Sequence, residues 1–171
     1  MKSKSKGSKF QIKVIVNNDR KQVKKFISKR WGSEKIVSRG RIYYPHKLPG
    51  FVAIKNKKYI GLITFHLEGK NCQIISLDSV LEKRGVGTAL VQKVERAATK
   101  SGYKKLWLIT TNDNIDALRF WQKRGFLIKN VYPNAISLSR KLKPEIPLIG
   151  NYGIPLKDEI GLKMILNKKS K

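Results

Sequence analysis

Cys72-Gln-Ile-Ile-Ser-Leu-Asp-Ser-Val-Leu-Glu-Lys-Arg-Gly-Val-Gly-Thr-Ala-Leu-Val91 changes its period part-way along. Cys72–Val80 is dense in Ile, Leu and Val and reads as a buried strand. After Gly87, the apolar residues Leu90, Val91, Val94, Ala97 and Ala98 recur at helical spacing, and Gly102 supplies a C-terminal stop. Between the two lies Arg84-Gly-Val-Gly-Thr88, a glycine-bearing turn that opens a helix. Glycines there let the backbone approach a ligand closely, and the free N–H groups and dipole of a first helical turn favour a phosphate, but a Gly-x-Gly pair by itself is more often an ordinary turn. Lys83 and Arg84 add positive charge at the same point.

The surrounding chain extends the alternation. Leu106–Thr110 is a short, apolar and central strand. Asn112 or Asp113 can cap a second helix carrying Ile115, Leu118, Phe120 and Trp121 and ended by Gly125. Phe126–Tyr132 and Ile160–Leu166 read as strands, the latter after a Pro/Gly-rich connection. Upstream, Phe10–Val16 alternates as a first strand. Asp19–Arg30 places Val23, Phe26 and Ile27 at helical spacing, and Phe51–Lys55 with Lys58–Leu67 reads as a hairpin through Asn56-Lys57. The pattern predicts an α/β domain with a mixed sheet. It divides the chain into a disordered Lys-rich stretch at 1–9, one domain at 10–167 and a basic tail at 168–171.

Two nucleotide-binding patterns fail on the same residues. No Gly-x-x-x-x-Gly-Lys-Ser/Thr is present. A dinucleotide fingerprint would need a small residue at Leu90 and an acid where Lys104 and Lys105 stand.

Composition narrows the class further. The 171 residues carry 38 Lys and Arg against 11 Asp and Glu, a net charge of +27. The four lysines of 1–9 and three of 168–171 account for seven of these, so 10–167 retains +20. Such a field attracts polyanions and anionic metabolites and disfavours polycations. Lone Cys72 removes a disulfide framework and a cysteine-rich zinc site, and His46 and His66 form no histidine cluster; no metal is expected. No run approaches the ~20 apolar residues of a membrane span, and Gln11 and Lys13 interrupt a signal-like run. A cytoplasmic protein without membrane attachment is the expectation.

Glu82-Lys-Arg-Gly-Val-Gly-Thr-Ala-Leu90 resembles the acyl-CoA pyrophosphate loop of the GNAT N-acetyltransferase family. Asn112-Asp-Asn-Ile-Asp-Ala-Leu-Arg-Phe-Trp-Gln-Lys-Arg-Gly-Phe126 is similar to that family's Asn-x-x-Ala-x-x-Phe-Tyr-x-x-x-Gly-Phe signature. Trp31–Glu34, Leu48–Ala53, Cys72–Ser79, Lys143–Pro147 and Gly153–Ile160 look like segments of one prokaryotic branch of it. The resemblance implies a mostly antiparallel twisted sheet, splayed after its fourth strand and flanked by helices on both faces. That strand would be Cys72–Val80, parallel to Leu106–Thr110 over its first part.

It also implies an acetyl-CoA-dependent enzyme transferring an acetyl group directly to an amine acceptor. Backbone groups of Leu77 and Ser79 would pair with pantetheine, Lys83, Arg84, Gly85, Val86, Gly87 and Thr88 would hold the pyrophosphate, and Asn114 would meet the pantetheine arm. The sequence departs from the family twice. Glu82 replaces the usual Gln or Arg and is expected to point to solvent. Trp121 occupies the usual Tyr position, where an indole N–H donates a hydrogen bond but supplies no acid near neutral pH; it reads either as a residue beside the leaving thiol or as a core aromatic.

The acids stand out for their scarcity. Glu34 is a candidate base or acceptor contact, and Asp158 and Glu159 are candidates for an acceptor cleft, against the plainer reading of caps and salt bridges. Gln73 stands where relatives carry Glu, and an amide is no base. Asp78 either lines the cleft or faces solvent, and Cys72 reads as a small buried hydrophobe. The segment Tyr132–Ile160 is expected to shape the acceptor site. The rival reading is a binding module of the same fold that engages nucleic acid or the ribosome through its positive charge.

Overall fold

The computed structural model describes residues 10–81 and 84–166. The readings of residues 1–9, Glu82, Lys83 and 167–171 lie outside the described residues. The elements follow as β1 (Gln11–Val14), α1 (Arg20–Trp31), β2 (Ile36–Ser38), β3 (Arg41–Tyr43), β4 (Gly50–Lys55), β5 (Lys58–Glu68), β6 (Asn71–Ser79), α2 (Val86–Lys100), β7 (Lys105–Thr111), α3 (Ile115–Gln122), β8 (Leu127–Tyr132), α4 (Ala135–Leu142) and β9 (Glu159–Ile165). Seven strands form one sheet in the order β1-β4-β5-β6-β7-β9-β8, and β2 and β3 form a separate hairpin.

Every neighbouring pair in the large sheet is antiparallel except β6 and β7. Those two run parallel and pair only from Asn71 opposite Lys105 to Ile74 opposite Leu108. Beyond Ile74, β6 stays bound to β5 as far as Ser79, while β7 stays bound to β9 as far as Thr111. The sheet therefore parts between its two central strands.

Helices cover both faces. On one, Leu90, Val91, Val94 and Ala98 of α2 pack with Phe51, Ala53 and Ile63 of the sheet, and Trp121 and Phe126 extend the same cluster beneath α3. On the other, Val23 and Ile27 of α1 pack with Val52 and Leu62. The alternation Phe51, Val52, Ala53 thus serves two cores, which explains why β4 reads as a continuous apolar run.

Two elements differ from the sequence reading. Arg39 and Gly40 both take positive φ, which makes Ser38–Arg41 the tight turn of the β2–β3 hairpin. Arg-Gly is a weak turn signal beside Asn-Gly or Asp-Gly, and strands of three residues carry almost no period. The Pro/Gly-rich connection before the last strand contains α4, whose single buried apolar residue is Ile136. A helix of eight residues with one buried anchor gives little periodicity to read.

Asp19 fixes α1 to the sheet. Its carboxylate accepts from Lys13 Nζ at 2.7 Å, from the Tyr59 hydroxyl at 2.6 Å and from the Val16 N–H at 2.9 Å. Burial alone would raise its pKa, but these three donors outweigh it and hold the group at about 2. Because the folded-state value is depressed, the contribution is complete above the ordinary value of 3.8 and drains away as pH falls towards 2. Asp19→Asn is expected to lose about 2 kcal/mol at neutral pH, with the difference from wild type shrinking near pH 3. Urea denaturation at the two pH values measures this.

Candidate active site

The parting of β6 from β7 leaves backbone groups without strand partners. Val80 N–H donates to the Ile60 carbonyl, on the β5 side. In an antiparallel ladder alternate residues turn their amides to opposite sides, so Leu77 and Ser79 turn theirs into the gap. The cleft there measures about 370 Å3 and is walled by Ile74–Ser79, Leu108–Thr110, Asn114, Phe120 and Trp121.

At one end the cleft meets the start of α2. Gly85 is the N-cap, with φ +77 and open space where a side chain would stand. The first bond of the helix runs from Ala89 N–H to the Gly85 carbonyl, so the N–H groups of Val86, Gly87 and Thr88 have no helical acceptor. They border a broad, open depression of about 710 Å3 that also holds Arg119, Lys123 and Arg124.

Arg124 received no role from the sequence, although it lies within the quoted helix motif. Its guanidinium stacks 3.4 Å from the Phe120 ring centroid and donates to the Phe120 carbonyl at 2.7 Å and to the Thr88 hydroxyl. Its Nε is buried with no partner. Burial holds its pKa below the usual arginine value. The local signal that could have found it is a second basic pair, Lys123-Arg124, closing the helix that faces the glycine turn.

Asn114 caps α3, with its side-chain oxygen accepting from Ala117 N–H at 3.1 Å. Neither Asn112 nor Asp113 does so. Asn112 binds the carbonyl of Pro155 and the N–H groups of Lys157 and Asp158, and Asp113 takes the Thr111 hydroxyl and both the N–H and the side-chain amide of Asn151. The two residues tether the connection before β9 to the β7–α3 turn. Trp121 is 5% exposed, with its ring edge-to-face against Phe120 at 5.1 Å and Phe126 at 5.0 Å, and one side reaches the cleft.

At its other end the cleft joins a second cavity of about 230 Å3 under β2 and α4. Trp31, Ile74, Ile75, Ile109, Thr110 and Asn114 border both. Trp31 is held as a partition by Asp78, which accepts from its indole N–H at 2.6 Å and from Arg30 Nε at 2.7 Å. Asp78 therefore lines the cleft and does not simply face solvent.

The remaining acids separate. Glu159 is 2% exposed and lines the second cavity. Gln73 lines it too, accepting from the Tyr43 hydroxyl at 3.2 Å. Asp158 instead accepts from the Asn134 N–H at the start of α4. Glu34 pairs with Lys24 at 2.5 Å outside the cavity wall, and that ammonium holds its pKa below the ordinary value. The structure thus places Glu159 on the second cavity, and Asp158 and Glu34 in scaffold contacts. Cys72 is buried, which pushes its thiol up to about 12. Among the described residues no three His, Cys, Asp or Glu side chains gather as a metal site.

Residues 21–126 match the model of the acetyltransferase (GNAT) family. The chain belongs to this family. It is 41% identical over 157 residues to YdhI of Bacillus subtilis, covering 90% of this chain and 98% of that protein. It is 45% identical over 139 residues to YxbD of the same organism, covering 81% and 87%. The GNAT fold recurs in a Bacillus subtilis acetyltransferase solved with CoA, with TM-score 0.65, 19% identity and coverage of 93% of this chain and 100% of that one. It recurs also in an Elizabethkingia anophelis GNAT acetyltransferase with acetyl-CoA bound, with TM-score 0.64, 21% identity and coverage of 93% and 99%. No helix among the described residues is long and apolar enough to cross a membrane.

Gly150 packs against the Asp113 tether so closely that a Cβ there would stand 2.2 Å from Asp113 Oδ2. Gly150→Ala and Asp113→Ala are each expected to cost about 1–3 kcal/mol by stranding the Asn151 amide and the Thr111 hydroxyl. Hydrogen exchange at Asn151 should quicken in both variants, as read by mass spectrometry.

Proposed function

We propose that this GNAT protein is an acetyl-CoA-dependent N-acetyltransferase that passes the acetyl group directly to an amine. The observation that carries the reading is continuity: a helix N-terminus made for phosphate, a strand with free backbone groups and a separate walled cavity follow one another along a single cleft. The CoA-bound relatives of the same fold support it. The thioester supplies an activated acetyl group; the amine nitrogen bonds to its carbonyl carbon as the C–S bond breaks, and a proton from nitrogen ends on the thiol.

The chain's own residues account for binding and placement. The free N–H groups of Val86, Gly87 and Thr88 and the dipole of α2 take the pyrophosphate. Arg84 and Lys83, which directly precede Gly85 in the sequence, and Arg124 add charge. Arg124 is partly buried, with its guanidinium held at the Thr88 hydroxyl beside that turn. Leu77 and Ser79 turn free amides and carbonyls to a pantetheine arm, and the Asn114 amide nitrogen is left to donate to it while its oxygen caps α3. Trp121 walls the cleft and supplies no proton, so the reaction relies on positioning and on backbone N–H donors at the developing oxyanion.

Calorimetry tests the cofactor half. One equivalent of CoA is expected to bind, with affinity falling about tenfold in Arg124→Met and binding lost in Gly85→Asp, which sets bulk and negative charge against the pyrophosphate. No binding by the wild-type protein at millimolar CoA would contradict the reading. Trp121→Phe is expected to keep kcat/KM within a few-fold and leave its pH profile unchanged, since the indole titrates nowhere in the accessible range.

A further inference from the structure

The second cavity carries opposite charges at two places on a largely apolar wall. Ile36, Val37, Ile109, Ile136, Ile146 and Leu156 provide most of that wall. Glu159 is its carboxylate. Buried to 2% exposure, it accepts only long contacts: one Arg39 N–H shared between both oxygens at 3.2 Å and the Ser139 hydroxyl at 3.4 Å. The Arg39 guanidinium stands 3.8 Å away and is engaged over the Tyr132 ring. A carboxylate offers about four lone-pair sites, so Glu159 retains acceptor capacity towards the cavity.

Lys143 is the opposing charge. It lines the same cavity, and its Nζ donates to the Lys35 carbonyl at 3.3 Å. Lys35 Nζ in turn donates to the Leu142 carbonyl at 2.9 Å, so the two side chains pass each other and each ammonium is held by a backbone carbonyl near the foot of the other lysine. Among the described residues neither is in an ion pair. Burial lowers the Lys143 pKa and outweighs Glu145, whose charge raises it through space without a direct contact. Lys143 therefore keeps donor capacity for an anion. Ser38, whose hydroxyl is buried without a partner, belongs to the same wall.

The separation of the two charges follows from the strand beside them. Lys143 Nζ sits at the Lys35 carbonyl and Glu159 at the Arg39 N–H, and the three residues of β2 between those groups rise about 10 Å. We infer that the acceptor is a small primary amine with an apolar body and an anionic group, its nitrogen drawn towards Glu159 and its anion held by Lys143. The inference rests on the acetyltransferase reading for the identity of the cavity as the acceptor site. It also fits a protein whose overall charge repels polyamines, since the anion offsets the field of the surface.

The test is binding to the CoA-saturated protein by calorimetry, using para-(aminomethyl)benzoate and para-methylbenzylamine, which share an amine and an apolar ring and differ in the carboxylate. The carboxylated amine is expected to bind at least about tenfold more tightly. In Lys143→Met the ratio of the two affinities should fall to near one, and in Lys143→Glu it should invert; retained CoA binding by each variant shows that it is folded. Equal affinities in the wild type, a preference that survives in Lys143→Met, or no binding of either amine at millimolar concentration overturns the inference while leaving the enzyme class standing. Failure of the wild-type protein to bind CoA overturns the parent reading instead.

Discussion

Everything at the centre of this molecule depends on four residues of parallel pairing that go no further. β6 and β7 are joined from Asn71 to Ile74 and then part, because β6 is kept by β5 and β7 by β9. A backbone N–H or carbonyl left without a partner in a buried place is costly, so a strand edge opened inside a sheet needs water or a ligand to complete it. The fold stabilises that opening from three sides. α2 closes one end with its N-terminus, α3 lies along one side with Asn114 and Trp121, and α1 reaches across through Trp31, held to Asp78. The glycine turn at the start of α2 borders this opening, and the cleft and the second cavity follow from one interrupted ladder.

The central elements were legible because their chemistry is local. Cys72–Val80 is rich in Ile, Leu and Val and α2 has a clear stripe, so the strand–turn–helix unit could be read from period alone, with the glycine turn between them. Glu159, Asp158 and Glu34 were singled out together as scarce acids, but only contacts made over long sequence separations could sort them. Glu159 meets Arg39 and Ser139, Asp158 meets Asn134, and Glu34 meets Lys24. Lys143 was hidden for the opposite reason. It is one of 38 basic residues, and nothing in its neighbours says that it turns inward. Asn112 and Asp113 looked like helix caps because Asx residues before a helix usually are; the cap is Asn114, and its two predecessors hold down a connection some forty residues later.

The acids also explain what the net charge means. Asp19, Glu34, Glu68, Asp78 and Asp116 are each paired with a cation within the fold, and Asp113 and Asp158 hold backbone N–H groups. Scaffold contacts consume most of the negative charge, and the surface is left basic by default. Arg124 and Lys143 differ from that background, because each is partly desolvated beside a concavity. The binding-module reading draws on the background alone, whereas the acetyltransferase reading draws on these placed charges.

The central claim is that the free edge of β6 is completed by a bound cofactor. Amide hydrogen exchange, resolved to single residues by NMR with and without CoA, tests it most directly. Binding should slow exchange at Leu77 and Ser79 and across the first turn of α2, with little change at Asp78, whose amide is already paired with β5. Stoichiometric CoA binding that leaves the Leu77 and Ser79 amides exchanging as before would contradict the account.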